Sequence, residues 1–165
     1  MGEFAKHRVY EKVPISDCWK HTGQEPIGTR WVDVNKGDDQ NPDYRSRLVA
    51  QEINNHKRED LFAATLPLEA KKMLMSLAVT EGIGYQRGSK EKGQKLDFID
   101  VRRAYFHAPA RRLVYVRLPP EEEQEGMCGK LVKALYGTRD VAQNWEHAYI
   151  DFLVGIGFAH GIASP

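Results

Sequence analysis

A carboxylate at the end of a short apolar segment is the chemically most informative feature of this sequence. The short apolar segment from Leu96 to Asp100 predicts a strand that ends on Asp100, where carboxylate oxygens can hold a hard divalent cation. The small residue Ala104 and the aromatic pair Tyr105 and Phe106 follow closely. Backbone N–H groups and an aromatic ring beside a cation suit a nucleoside triphosphate and its sugar.

The charges around this carboxylate allow two interpretations. Nine cations and three anions lie between Arg87 and Arg117, and a glutamate-rich run, Glu121–Glu125, follows them. Such a basic band is typical of a solvated surface, but it is also what a phosphate backbone requires. Asp100 itself could equally form a turn or cap a helix.

The composition of the chain restricts the class of protein to which it can belong. The chain of 165 residues, with 41% hydrophobic and 28% charged residues, is typical of one globular domain. Cys18 and Cys128 lack the paired spacing of a disulfide framework or zinc site. No apolar run is long enough to span a bilayer, and the N-terminus lacks a signal-peptide core. We therefore expect an intracellular protein with no membrane partner.

Hydrophobic periodicity places these residues on short alternating elements. A turn at 37–42 would join the first two strands into a hairpin, and the last helix would pack an aromatic face into the core. The predicted strands are Thr29–Val34, Tyr44–Ala50, Leu96–Asp100, Leu113–Val116 and Lys130–Leu135, and the predicted helices are Leu68–Glu81 and the segment from Asp140 to about Gly157.

Seven segments in order carry a resemblance to a known family. They are Ile27–Val32, Arg45–Ala50, Phe62–Thr65, Leu96–Pro109, Val114–Pro119, Leu135–Arg139 with Trp145, and Gly155–Phe158. Together they resemble the copia-type reverse transcriptase of long-terminal-repeat retrotransposons. The resemblance implies an α+β fold, the fingers and partial palm of a right-hand polymerase, over residues 26–165. Residues 1–25 would be a connector or a poorly ordered segment.

The resemblance also implies an activity and its partners. The complete protein would be an RNA-directed DNA polymerase that adds deoxynucleotides to a primer with two metal ions, Mg²⁺ or alternatively Mn²⁺. Asp100 and the Val101 carbonyl would bind metal. The N–H groups of Ala104 and Tyr105 would face the triphosphate, and the Tyr105 ring would underlie the sugar. Implied partners are an RNA or DNA template with primer, deoxynucleoside triphosphates and the rest of the retrotransposon polyprotein, in a cytoplasmic particle or the nucleus.

Two further segments would complete the nucleotide site. Strand alternation puts Arg45 and Arg47 on one face, where guanidinium forks suit phosphate oxygens, although the same face could be an exposed hairpin surface. By the resemblance, Tyr136, Gly137 and Arg139 would line the pocket, and Gly137 would allow close backbone approach.

Departures from the family pattern limit this interpretation. No aromatic-x-Asp-Asp motif occurs in the 165 residues, so the chain is expected to be a truncated piece that does not polymerise DNA by itself. Asp140 replaces the usual Gln and is expected to repel a template phosphate. Two alternatives remain open: a non-catalytic nucleic-acid-binding module, or an interaction domain recruited by a host.

Overall fold

A computed structural model describes residues 2–53, 67–88, 93 and 95–159. The chain divides into two compact units. The first unit comprises Met1–Ala63 and Arg103–Pro165, and the second comprises Ala64–Arg102. The elements in chain order are α1 (Gly2–His7), β1 (Tyr10–Pro14), α2 (Ile15–Thr22), β2 (Thr29–Asn35), β3 (Tyr44–Ala50), α3 (Leu68–Ala78), a 3₁₀ turn at Ala104–His107, β4 (Tyr115–Val116), a second 3₁₀ turn at Pro120–Glu122, β5 (Met127–Leu131) and α4 (Val141–Gly155).

A three-stranded antiparallel sheet organises the first unit, with the strand order β1-β5-β4. Its β1 pairs Tyr10 with Leu131 and Val13 with Cys128. Residues 1–25, interpreted from the sequence as a connector or a poorly ordered segment, therefore supply a strand of this sheet as well as α1 and α2. The pairing of β1 joins residues more than a hundred positions apart, so local periodicity does not reveal it.

A hairpin of β2 and β3 forms the second sheet, and the register runs from Thr29 opposite Ala50 to Asn35 opposite Tyr44. The predicted hairpin is confirmed. Its turn is held by Asn35, whose side-chain oxygen accepts hydrogen bonds from the N–H groups of Gly37 (3.0 Å) and Asp43 (2.9 Å). Such side-chain acceptors replace backbone partners in tight turns.

The core of the first unit brings together apolar residues from both sheets and the turn at Ala104–His107. Phe106 is 5% exposed, and its ring centroid lies 5.0 Å from that of Phe4. The main cluster comprises Phe4, Val9, Leu48, Ala50, Phe106, Val114, Val116, Leu131 and Leu135. A second cluster contains Cys18, Tyr115 and Cys128. Burial, with Cys18 and Asp17 nearby, raises the pKa of the Cys128 thiol to about 11.

The predicted strand at Leu96–Asp100 is wrong. Residues 95–100 have no regular secondary structure, and Phe98 and Ile99 are 80% and 82% exposed. A short apolar segment could line a sheet, but a strand forms only beside a hydrogen-bonding neighbour. None of the strand pairs among the described residues involves this segment.

The other strands differ in extent from the predictions. The strand expected at Lys130–Leu135 lies earlier, at Met127–Leu131, and the strand expected at Leu113–Val116 is reduced to Tyr115–Val116. Residues 132–134 still bond to neighbours, since the N–H groups at 132 and 133 donate to the carbonyl of Val9. An isolated antiparallel bridge between Pro109 and Lys133 lies where the strand expected at Lys130–Leu135 would have continued.

Both long helices were predicted, but their apolar faces are only partly covered. In α4, Trp145 and Tyr149 are half-buried, whereas Phe152 is 65% exposed and Ile156, just past the helix, is 58% exposed. The expected aromatic core face is therefore limited to the first half of α4. In the second unit, α3 has no buried side chain among its described residues. No helix in the described part of the chain is long and apolar enough to cross a membrane.

Candidate functional site

The residues proposed from the sequence to contact metal and nucleotide fall into both units. The second unit contains Asp100 and Val101, and the first unit contains Arg45, Arg47, Ala104, Tyr105, Tyr136, Gly137 and Arg139. The segment Phe62–Thr65, which contributed to the family resemblance, lies outside the described residues. Most of the predicted nucleotide contacts therefore belong to the first unit.

Three of these side chains form one cluster, which we call the Arg47–Tyr136–Tyr105 cluster. The guanidinium carbon of Arg47 lies 5.6 Å from the Tyr136 ring centroid, within cation–π range. The Tyr105 and Tyr136 centroids are 4.7 Å apart in an edge-to-face arrangement. Arg47 is exposed and both tyrosines are half-buried, so a cation and two aromatic faces meet at the protein surface.

The neighbouring Phe106 explains why Tyr105 reaches this surface. Phe106 fills the core and lies edge-on to Tyr136, with centroids 6.1 Å apart. The 3₁₀ turn at Ala104–His107 thereby sends one aromatic ring inward and leaves the adjacent one at the surface. The burial of Phe106 agrees with the sequence-based expectation that Tyr105 is the more exposed ring of the pair.

Gly137 holds Tyr136 against β3 through a close backbone contact. The carbonyl of Tyr136 accepts a 2.7 Å hydrogen bond from the N–H of Ala50. Gly137 has a φ of +84°, and a Cβ there would lie 2.0 Å from the Ala50 oxygen and 2.5 Å from a methyl carbon of Val49. Only glycine combines this backbone conformation with this proximity.

The 3₁₀ turn at Ala104–His107 begins after a residue in an unusual conformation. Arg103 has a φ of +53°, the left-handed region that a non-glycine residue rarely adopts. The N–H of Phe106 donates to the Arg103 carbonyl at 2.9 Å. The N–H groups of Ala104 and Tyr105, as the first of the turn, have no acceptor within it. First-turn N–H groups of this kind can bond to water or to a ligand.

The side chain of Arg45 forms an ion pair with Asp43 beside the hairpin turn. Its Nε and Nη2 both donate to Oδ2 of Asp43, at 3.2 and 3.1 Å. Both side chains are more than half exposed, and an exposed pair of this kind is worth less than about 1 kcal/mol. A phosphate could therefore compete with Asp43, but the structure places Arg47 and not Arg45 against the tyrosines.

A charged network around Arg112 was missed from the sequence. The Nη2 of Arg112 donates to Glu52 and, at 2.9 Å, to Asp140, while its Nε is buried without a partner among the described residues. Glu52 also accepts the backbone N–H of Arg139 at 2.7 Å, and Asn144 donates to Asp140 at 2.9 Å. The network therefore holds the end of the Leu135–Arg139 segment between β3 and α4.

Asp140 belongs to this network and does not face solvent. It is 5% exposed, so the expected repulsion of a template phosphate is not supported. Burial alone would raise the pKa of Asp140, but hydrogen bonds from Arg112 and Asn144 and the charge of Arg112 outweigh it and hold the pKa below its usual value. Burial likewise opposes the charge of Arg112, but its two carboxylate partners raise the pKa of the guanidinium above its ordinary value.

The lowered pKa of Asp140 predicts how stability depends on pH. Its contribution is fully present above the unfolded-state pKa, near 4, and is lost as the pH falls through the lower folded-state pKa. Asp140→Asn should therefore flatten the loss of stability between neutral pH and about pH 3. Urea unfolding midpoints across this pH range measure the effect.

The matched control for this prediction is Asp151→Asn. Asp151 pairs with Arg111 at 3.3 Å but is 72% exposed, so its removal should leave the pH profile unchanged within error. An identical profile for the wild-type chain and Asp140→Asn would contradict a stabilising charge on Asp140.

Long-range ion pairs also reduce the basic band counted from the sequence. Among the cations of the band that the structure describes, three form ion pairs with carboxylates far away in the chain. The pairs are Arg111–Asp151, Arg112 with Glu52 and Asp140, and Arg117–Glu25. The band is therefore less positive than its sequence indicates, and Arg112 is a structural cation and not a surface contact for phosphate.

The donor set for a metal is not assembled among the described residues. They contain no group of three His, Cys, Asp or Glu side chains that could hold an ion, and Asp100 is exposed. One carboxylate and the Val101 carbonyl do not fit a centre of two Mg²⁺ ions, each of which requires near-octahedral oxygen ligands.

Comparison with known proteins gives two matches. Residues 16–163 match the family described as "Reverse transcriptase (RNA-dependent DNA polymerase)". The chain is also similar to the Retrovirus-related Pol polyprotein from transposon RE1 of Arabidopsis thaliana, with 26% identity over 142 residues. This alignment covers 83% of the chain and 9% of that polyprotein. No solved structure matches the chain significantly.

Proposed function

Since this chain belongs to the reverse transcriptase (RNA-dependent DNA polymerase) family, we propose that its first unit binds the incoming deoxynucleoside triphosphate in a retrotransposon polyprotein. The resemblance to copia-type enzymes is confirmed by the family match and by the similarity to the transposon polyprotein. We further propose that the β2–β3 hairpin belongs to the fingers of a right-hand polymerase and that the remaining elements begin its palm.

The observation that carries the proposal is the Arg47–Tyr136–Tyr105 cluster. It brings a guanidinium group from β3 and two aromatic rings from separate segments to one surface. The forked guanidinium of Arg47 suits triphosphate oxygens, and the Tyr105 ring offers a face for the sugar. The first N–H groups of the 3₁₀ turn add donors for an anion.

The segment from Tyr136 to Arg139 would add further contacts to the nucleotide pocket. Gly137 lets the chain pass β3 without a side chain between them, and Arg139 is fixed through its backbone bond to Glu52. We propose that Tyr136, Gly137 and Arg139 line the nucleotide pocket and that Arg45 approaches the triphosphate after leaving Asp43.

The chemical step is assigned to the complete protein. Reverse transcriptases generally use divalent metals, which would supply Lewis-acid chemistry for phosphoryl transfer when bound. We propose Asp100 and the Val101 carbonyl as ligands of Mg²⁺ or Mn²⁺ there. Because the described residues do not fit a two-metal centre, the 165-residue chain alone is proposed to bind without polymerising.

Arg47→Met tests the nucleotide site directly. We expect it to weaken binding of a fluorescent deoxynucleoside triphosphate about tenfold in the presence of an RNA–DNA primer–template hybrid, since one charge-assisted contact is lost. Fluorescence anisotropy measures the affinity.

The charge-matched control is Lys20→Met, which removes an exposed cation from α2. If the Arg47 and Lys20 variants have equal triphosphate affinity, Arg47 does not contact the triphosphate. The alternative function is a nucleic-acid-binding module that uses the basic band between Arg87 and Arg117 without the chemical step. It predicts salt-dependent binding of the hybrid together with no measurable triphosphate affinity.

A further inference from the structure

A second surface of the first unit has a different chemistry. A groove of about 470 Å³ lies between α2, the residues before β2, the end of β4 and the acidic loop before β5. Its apolar lining includes Ile15, Trp19 and Met127. Trp19 is 49% exposed, although its neighbour Cys18 is buried and anchors α2 to the sheet.

The acidic loop, Glu121–Glu125, contains four glutamates in two different environments. Glu121 accepts a hydrogen bond from the indole of Trp31 at 3.2 Å, and Glu122 binds Tyr10 at 3.1 Å and Lys12 at 3.2 Å. These two residues fasten the loop to β1 and β2. They are not part of the groove.

The other two glutamates of the loop line the groove. Glu123 and Glu125 are exposed there, and no ion pair or hydrogen bond to them is found among the described residues. Glu25 adds a third carboxylate, paired with Arg117 at 2.7 Å. Three carboxylates against one cation leave the groove negative, so a nucleic-acid backbone would be repelled from it.

We propose that this groove binds a peptide segment that presents Arg or Lys side chains from another polypeptide. An exposed indole beside these two carboxylates suits a guanidinium or ammonium group, which can stack on the ring and meet the acids at once. The aliphatic stem of such a residue would cover Ile15 and Met127. One such interaction is already present in the groove, because the guanidinium of Arg117 forms an ion pair with Glu25.

The proposal does not depend on the nucleotide site. None of the residues that line the groove belongs to the Arg47–Tyr136–Tyr105 cluster or to the Arg112 network. A variant of the groove should therefore keep its triphosphate affinity, and a variant of Arg47 should keep its affinity for the basic peptide.

The test uses the full chain and a fluorescein-labelled hexapeptide of alternating Arg and Gly. We expect Glu123→Gln/Glu125→Gln to weaken binding about five- to tenfold, and Trp19→Ala to weaken it about threefold. Binding to the wild-type chain should fall steeply as salt is added.

The matched control is Glu11→Gln/Asp33→Asn, which removes two exposed carboxylates from β1 and β2 outside the groove. Circular dichroism verifies that each variant is folded. The proposal is overturned if the peptide fails to bind, if the control pair weakens binding as much as the groove pair, or if Trp19→Ala leaves affinity unchanged.

Discussion

Arg112→Met is expected to lower the free energy of unfolding by about 3 kcal/mol. The substitution keeps an apolar stem of similar length but removes the guanidinium that pairs with the carboxylates of Glu52 and Asp140. Their side chains are only 14% and 6% exposed, so water replaces the lost partner poorly. Urea unfolding followed by far-UV circular dichroism measures the change.

The adjacent arginine provides the control. Arg111→Met removes the same charge, but its partner Asp151 is 72% exposed, so the expected change is below about 0.5 kcal/mol. In the double variant Arg112→Met/Asp140→Asn, part of the lost stability should return because one stranded charge is gone. Equal losses at positions 111 and 112 would show that the network does not stabilise the fold.

This network also shows what a single sequence cannot reveal. Glu52, Arg112 and Asp140 are separated by at least 28 positions and meet only after β3, the β4 region and α4 have packed. Each residue looks like an ordinary surface charge in its local context. From the sequence, Asp140 is therefore expected to hinder the template, whereas its burial makes it a partner of Arg112.

Local sequence patterns predicted the structure correctly where the contacts that form it are also local in the sequence. The β2–β3 hairpin follows from alternating residues and a turn rich in Asp, Asn and Gly, since strand pairing and turn lie within 22 residues. The segment Leu96–Asp100 is also short and apolar, with Leu96, Phe98 and Ile99, but it forms no strand. Its outcome depends on a neighbouring strand, which periodicity within the segment cannot supply.

The sequence predicted which residues belong to the candidate site, but it did not predict how their side chains are arranged. The resemblance named Arg47, Tyr105 and Tyr136 separately, and the structure places the Arg47 guanidinium 5.6 Å and the Tyr105 ring 4.7 Å from the Tyr136 ring centroid. Strand alternation treats Arg45 and Arg47 as equivalent because it puts both on one face. The hairpin turn separates them, since Asp43 engages Arg45 alone.

Gly137→Ala is the second substitution with a large expected effect, a loss of about 3 kcal/mol or more in the free energy of unfolding. Two costs combine there. The backbone has a φ of +84°, and the new Cβ would lie 2.0 Å from the Ala50 oxygen. Relief of this overlap requires Tyr136 to move from β3, which breaks its hydrogen bond with Ala50. Thermal and urea unfolding measure the loss.

Gly126→Ala separates these two costs. Gly126 has a similar φ of +71°, but nothing lies within 4 Å of its added Cβ, so the variant should lose only about 1 kcal/mol from backbone conformation. The difference between the two variants then reports the contact between Gly137 and β3. Because that contact positions the Tyr136 ring beneath Arg47, Gly137→Ala protein that remains folded should also bind triphosphate more weakly, and Gly126→Ala protein should not. Equal stability losses in the two variants would mean that β3 yields to the new methyl group and that Gly137 is needed for its backbone conformation alone.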